Sequence, residues 1–133
     1  MQDEPGKERL LAEVARFLGS DVVGAITDPG LAFRVRVAAH LVGTVAREVA
    51  TEQAADEAEL ADLVALGVAA PATGSRAVRA AIQEGRAALA ARLREHGGDP
   101  ASDAALVRSL RARLQVSNPR FALDADTGED EWT

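Results

Sequence analysis

The chain has 133 residues and a net charge of -6, with 29 alanines, 14 arginines, one lysine and no cysteine. Without cysteine, disulfides, thiolate zinc sites and cysteine nucleophiles are excluded. No apolar run reaches the ~18 residues that a bilayer-spanning helix needs, and the acidic, polar start MQDEPGKER is unlike a secretory leader, so a cytoplasmic protein without a membrane partner is expected.

A first helix is expected after Pro5-Gly6, running through Leu18. Leu10, Leu11, Val14, Phe17 and Leu18 recur with helical period. Gly19-Ser20-Asp21 either breaks it or lets Ser20 cap a short continuation. Thr27-Asp28-Pro29-Gly30 reads as a turn, because Pro29 cannot continue a preceding helix. A second helix is expected over 31–50, with one apolar face at Leu31, Val35, Ala38, Val42, Val45 and Val49. Thr51-Glu52-Gln53 then leads to a third, shorter helix near 54–66, whose first turns carry Asp56, Glu57 and Glu59 where the helix dipole favours acids.

Gly67 and Pro71 end that helix, and Pro71-Ala72-Thr73-Gly74 reads as a loop. The fourth helix runs over about 75–95, with Val78, Ile82, Gly85, Leu89 and Leu93 on one side. Gly85 is either a weak point or a place of close packing. Gly97-Gly98-Asp99-Pro100 is a loop, after which Ser102 or Asp103 can cap a fifth helix bearing Leu106, Val107, Leu110, Leu114 and Val116. Asn118-Pro119 stops it. The expected fold is all-α: an antiparallel bundle of about five helices forming a single domain over 1–123, followed by a flexible acidic tail over 124–133. Alanine-rich stripes and few aromatics also predict a homodimer that covers a leftover apolar face.

Charge is unevenly spread. Residues 1–74 carry six basic and twelve acidic side chains, and residues 75–120 carry nine arginines against four acids. A basic segment can signal nucleic acid, but this one lacks stacking aromatics and a lysine/glycine-rich arm. The simpler expectation is that the basic helices pack beside the acidic half, with no nucleic-acid partner.

The second helix also carries a polar line, Arg36, His40, Thr44 and Arg47, at helical spacing. A histidine beside two cations disfavours its own protonated form and could act as a neutral hydrogen-bonding group in an anion site. The plainer alternative is a packed histidine satisfied by a neighbouring helix. Arg36 is expected to be at least partly buried and bonded to a carboxylate or to helix-end carbonyls, with Asn118-Pro119-Arg120 as a neighbour. His96, at the end of the fourth helix, reads as a C-terminal cap. Two histidines without HExxH or ExxH spacing give no metal site. The acidic pairs read as solvated faces. No triad, phosphate loop or nucleophile elbow is present, so no catalytic residue and no cofactor is assigned.

Four pieces taken together resemble a known family: MQDEPGKERLLAEVARFL, LAFRVRVAAHLVGTVARE, AAIQEGR and the closing NPRF. The chain resembles a bacterial domain-of-unknown-function family whose members begin MQDRP, carry an F-x-x-R-V-A-A-N helix followed by A-R-E, and end near N-P-R-Y. Phe33, Arg36, Arg47, Glu48, Asn118, Pro119 and Arg120 match that pattern. His40 stands where it has asparagine, and Phe121 where it has tyrosine. The resemblance implies an association with aminoglycoside-phosphotransferase-like kinases and acyl-CoA dehydrogenases, and supplies no catalytic assignment.

The leading expectation is therefore a non-catalytic helical accessory domain that binds a kinase-like or acyl-CoA-metabolising enzyme. The alternative is a small anionic ligand held by Arg36, His40, Thr44, Arg47 and Arg120. Buried, unpaired arginines would favour the ligand; an exposed apolar stripe would favour the partner.

Overall fold

A computed structural model describes residues 5–120. The tail expected over 124–133 lies outside the described residues. Every regular element among those described is helical: α1 (Lys7–Phe17), a π-helical turn (Leu18–Val22), the one-turn α2 (Val23–Ala25), α3 (Pro29–Ala65), α4 (Ser75–His96) and α5 (Pro100–Ser117). The chain divides into two compact units, Met1–Glu52 and Gln53–Thr133. No helix among the described residues is long and apolar enough to cross a membrane.

Among the described residues there are four long helices, not five, because the expected second and third are one. α3 is 37 residues long. Thr51-Glu52-Gln53 is polar but contains neither glycine nor proline, so nothing forces the backbone out of helix. Thr51 satisfies its hydroxyl by donating to the Arg47 carbonyl one turn back, at 2.9 Å. The start of α3 is set by Asp28. Its carboxylate accepts from the Leu31 amide at 2.8 Å, and Pro29 takes the first helical position, where no amide is needed. Gly67 ends the helix with a positive φ of 74°. Its amide donates to the Val64 carbonyl and that of Val68 to Leu63, which closes a Schellman motif.

In the first unit, Gly19 faces Ala39 and Gly43 faces Ala15, so α1 and the first half of α3 run antiparallel. Ser20 is not a cap. Its hydroxyl donates back to the Arg16 carbonyl at 2.6 Å, and the chain passes through this point as a π turn without leaving helix. The inward face of α3 is Ala32, Val35, Ala39, Val42, Gly43, Ala46 and Val49, while Leu31, Ala38 and Val45 are exposed. The expected face is thus rotated by about one residue at alternate positions. Small residues on both helices let the backbones approach closely, and the larger side chains are left outside. Among the described residues of this unit, the only buried ones are Ala32 and Ala46.

The second unit has a core of its own: Leu60, Leu63, Val78, Ile82 and Leu89, with Val64, Leu66, Val68 and Leu93 packed around it. Asp56 pairs with Arg79 and Glu59 with Arg86. Arg92 reaches the Leu66 carbonyl. Partner positions therefore rise together, so α4 runs in the same general sense as the end of α3, and the segment between them folds back. α5 runs the other way, since Arg108 pairs with Asp62 and Arg113 approaches Glu59. The cap of α5 is Asp99, not Ser102 or Asp103. Its carboxylate accepts from the Ser102 amide and hydroxyl, each at 2.9 Å, and Ser102 is fully buried behind it. α5 repeats the pattern of α3, with Ser102 and Ala105 buried and Leu106, Val107 and Leu110 exposed.

Candidate functional site

The polar line lies on the first half of α3. Arg36 and His40 are exposed, and Thr44 and Arg47 are half-buried. Arg36 is thus not the buried tie between helix ends that its position between two valines predicts. Its helical position falls beside the α1-facing stripe, where a long side chain extends into solvent. Thr44 donates its hydroxyl to the His40 carbonyl at 3.0 Å and accepts from Arg47 Nη2 at 3.2 Å. The histidine therefore meets the line through its backbone. Arg120 is exposed and belongs to the second unit, whereas the other four residues belong to the first. His96 is exposed, with Nε2 3.7 Å from a Glu95 carboxylate oxygen.

Beside this line, Ala12, Ala15, Gly43, Ala46 and Ala50 floor a shallow open groove of about 490 Å³, flanked by Glu8, Arg9 and Arg47. Alanine and glycine leave the space, and two guanidinium groups stand at its edge. Arg47, one of the expected set, thus adjoins a concavity within the first unit. Among the described residues no group of three histidine, aspartate or glutamate side chains could hold a metal.

The second unit carries a narrower groove of about 260 Å³ between α3, α4 and α5. Leu63, Leu89 and Ala105 form its floor, Leu106 and Leu110 one wall, and Glu59, Arg86 and Arg113 its charged edge. That edge is rigidly tied. Arg86 donates from Nε and Nη2 to the two oxygens of Glu59, and Arg108 donates likewise to Asp62. The hydrogen bond to Glu59 holds the Arg86 guanidinium above its ordinary range, against the opposing effect of burial. Asp62 does the same for Arg108. The basic segment is thus engaged with the acidic end of α3, as the uneven charge distribution suggests.

This groove is not apparent from the sequence. Leu106, Val107 and Leu110 have the periodicity of a core face, and only the inward placement of Ser102 and Ala105 turns them outward. The available signal was Ser102-x-x-Ala105-x-x-x-Ser109-x-x-Ala112, a small-residue stripe at helical spacing on the same helix.

No curated protein and no solved structure matches the chain. A family model, Domain of unknown function (DUF6285), matches residues 25–121, which takes in α3, α4, α5 and both the polar line and the leucine-walled groove. The opening MQDEP segment falls outside that match. With most of its length covered, the chain belongs to this family of unknown function.

Proposed function

We propose that the protein is a non-catalytic helical accessory domain that works by docking a protein partner on the leucine-walled groove of its second unit. The observation that supports this most is the exposure of Leu106, Val107 and Leu110, at 46%, 46% and 55%, on a unit that already has a closed core. These side chains are surplus to folding. An apolar wall with a charged edge is the usual anatomy of a protein-docking surface. The paired arginines at that edge would favour orientation over affinity. The resemblance to a family linked with aminoglycoside-phosphotransferase-like kinases and acyl-CoA dehydrogenases makes a kinase-like or acyl-CoA-metabolising enzyme in the bacterial cytoplasm the partner of choice.

The test is co-expression with a kinase-like protein and with an acyl-CoA dehydrogenase-like protein from the same host. The parent should co-purify with one of them, and Leu110→Asp should lose it while keeping the parent's circular-dichroism spectrum. A folded Leu110→Asp variant that binds as the parent does, or a parent that binds neither enzyme, would sink the reading.

A second reading is supported by the alanine-floored groove beside Arg9 and Arg47. A small anion such as phosphate would be held weakly there by Arg9 and Arg47, with Arg36, His40 and Thr44 outside the groove's lining. The carboxylate of Glu8 at the same groove counts against tight anion binding.

A further inference from the structure

Among its described residues the first unit buries nothing larger than alanine, and a helical hairpin of that kind needs another layer. The first half of α3 shows where that layer belongs. Away from α1, Val37, Leu41 and Val45 are exposed at 42%, 58% and 46%. With Arg34 and Glu48, both exposed, they form a stripe at steps of three, four, four and three residues, a helix-pairing spacing, and exposed Ala38 lies within the same face.

The stripe is self-complementary. Arg34 lies seven residues before Leu41 and Glu48 seven after it; Val37 lies four before and Val45 four after. A two-fold axis at Leu41 therefore sets cation against carboxylate and valine against valine. Among the described residues, neither Arg34 nor Glu48 has an ion-pair partner within its own chain, whereas Asp56, Glu59 and Asp62 further along α3 do. A parallel arrangement would set Arg34 against Arg34 and is disfavoured. An unrelated partner would have no need of mirror symmetry about Leu41.

We propose that this face of α3 is a homodimer interface, in which two copies cross antiparallel at Leu41, with Arg34 of each facing Glu48 of the other. The pairing uses the first unit and does not rest on the partner-docking role of the second.

Sedimentation equilibrium of the full chain at micromolar concentration tests it. The parent should be a dimer, and Leu41→Glu, which sets two carboxylates face to face on the axis, should be a monomer. Arg34→Glu and Glu48→Arg should each weaken association by about tenfold, because each change replaces two attractions per dimer with two repulsions. The double swap Arg34→Glu/Glu48→Arg should restore the parent's affinity. That rescue keeps the test meaningful even if a single variant is poorly folded. A monomeric parent would overturn the proposal and leave the face to a companion protein or to the chain's own C-terminal residues. A dimer that survives Leu41→Glu, or a charge swap without rescue, would overturn it equally.

Discussion

Arg86 donates two hydrogen bonds to Glu59, from Nε to Oε1 at 2.6 Å and from Nη2 to Oε2 at 2.7 Å, and so ties α4 to the last turns of α3. Glu59 is the less exposed partner, with 16% of its side chain accessible against 45% for Arg86. Arg113 also approaches it, at 4.0 Å. One carboxylate thus links three helices.

Removing Glu59 should cost more than removing either arginine, since each arginine can turn to water while the carboxylate is the shared acceptor. Glu59→Ala is expected to lose about 1–2 kcal/mol in urea melts. Solvent around Arg86 keeps the figure low. A double-mutant cycle with Arg86→Ala should give a coupling of about 0.5–1.5 kcal/mol. A coupling near zero would mean that the fork adds no stability.

Gly85 sits where α4 meets the end of α3. A Cβ built there would stand 3.0 Å from Ala69 Cβ and 3.1 Å from Leu63 Cδ1. Alanine favours helix over glycine by about 1 kcal/mol, but crowding a packed core costs about 1–3 kcal/mol. Leu63 is a core residue, so the crowding should prevail. Gly85→Ala is expected to lower the melting temperature, with a net loss of up to about 2 kcal/mol. A more stable variant would show that Leu63 gives way freely.

Helix positions were largely legible from the sequence because their ends carry strong local chemistry. Asp28-Pro29 starts α3, Gly67 ends it, and Gly97 to Pro100 separates α4 from α5. The continuity of α3 was not legible: polar residues such as Thr51-Glu52-Gln53 resemble a linker but remain compatible with helix. α4 buries the Val78, Ile82, Gly85 and Leu89 face that its spacing marks, but the packed faces of α5 and of the first half of α3 were not legible. Hydrophobic periodicity ranks Leu and Val first, so it selected Leu31 and Val45 on α3 and Leu106 and Leu110 on α5. Close helix pairing is instead made by the smallest residues, Ala39 and Gly43 on α3 and Ser102 and Ala105 on α5. In a chain this rich in alanine the two criteria diverge, and the leucine wall of α5 is what the first criterion assigns to the core.

The exposure of Arg36 reverses one expectation. A buried arginine bonded to helix-end carbonyls would cost ~1–3 kcal/mol on removal. An exposed one without such bonds should cost within about 0.5 kcal/mol, so Arg36→Ala should melt as the parent does. Melts with and without phosphate then address the anion reading. A phosphate-dependent rise in the parent that disappears in Arg47→Ala would support an anion site. No rise in the parent would remove that reading.

Asp99 offers a pH-dependent prediction. The Ser102 amide, and then its hydroxyl, hold the Asp99 carboxyl below the ordinary aspartate range, with Arg92 adding a smaller contribution. A carboxyl with a depressed folded-state pKa binds fewer protons when folded than when unfolded. Its contribution is therefore complete above the ordinary aspartate value, near pH 4, and is lost as pH falls through the lower folded value. Asp99→Asn keeps a side-chain oxygen for the Ser102 amide but carries no charge. At neutral pH the parent should melt at a higher temperature than Asp99→Asn. That gap should hold from neutral pH down to about pH 5, then narrow through pH 4 and 3 as the parent's carboxylate is protonated. Melting both proteins across this range in one buffer series checks it. A gap that stays constant to pH 3, or widens there, would show that the cap at α5 does not depend on the ionised carboxylate.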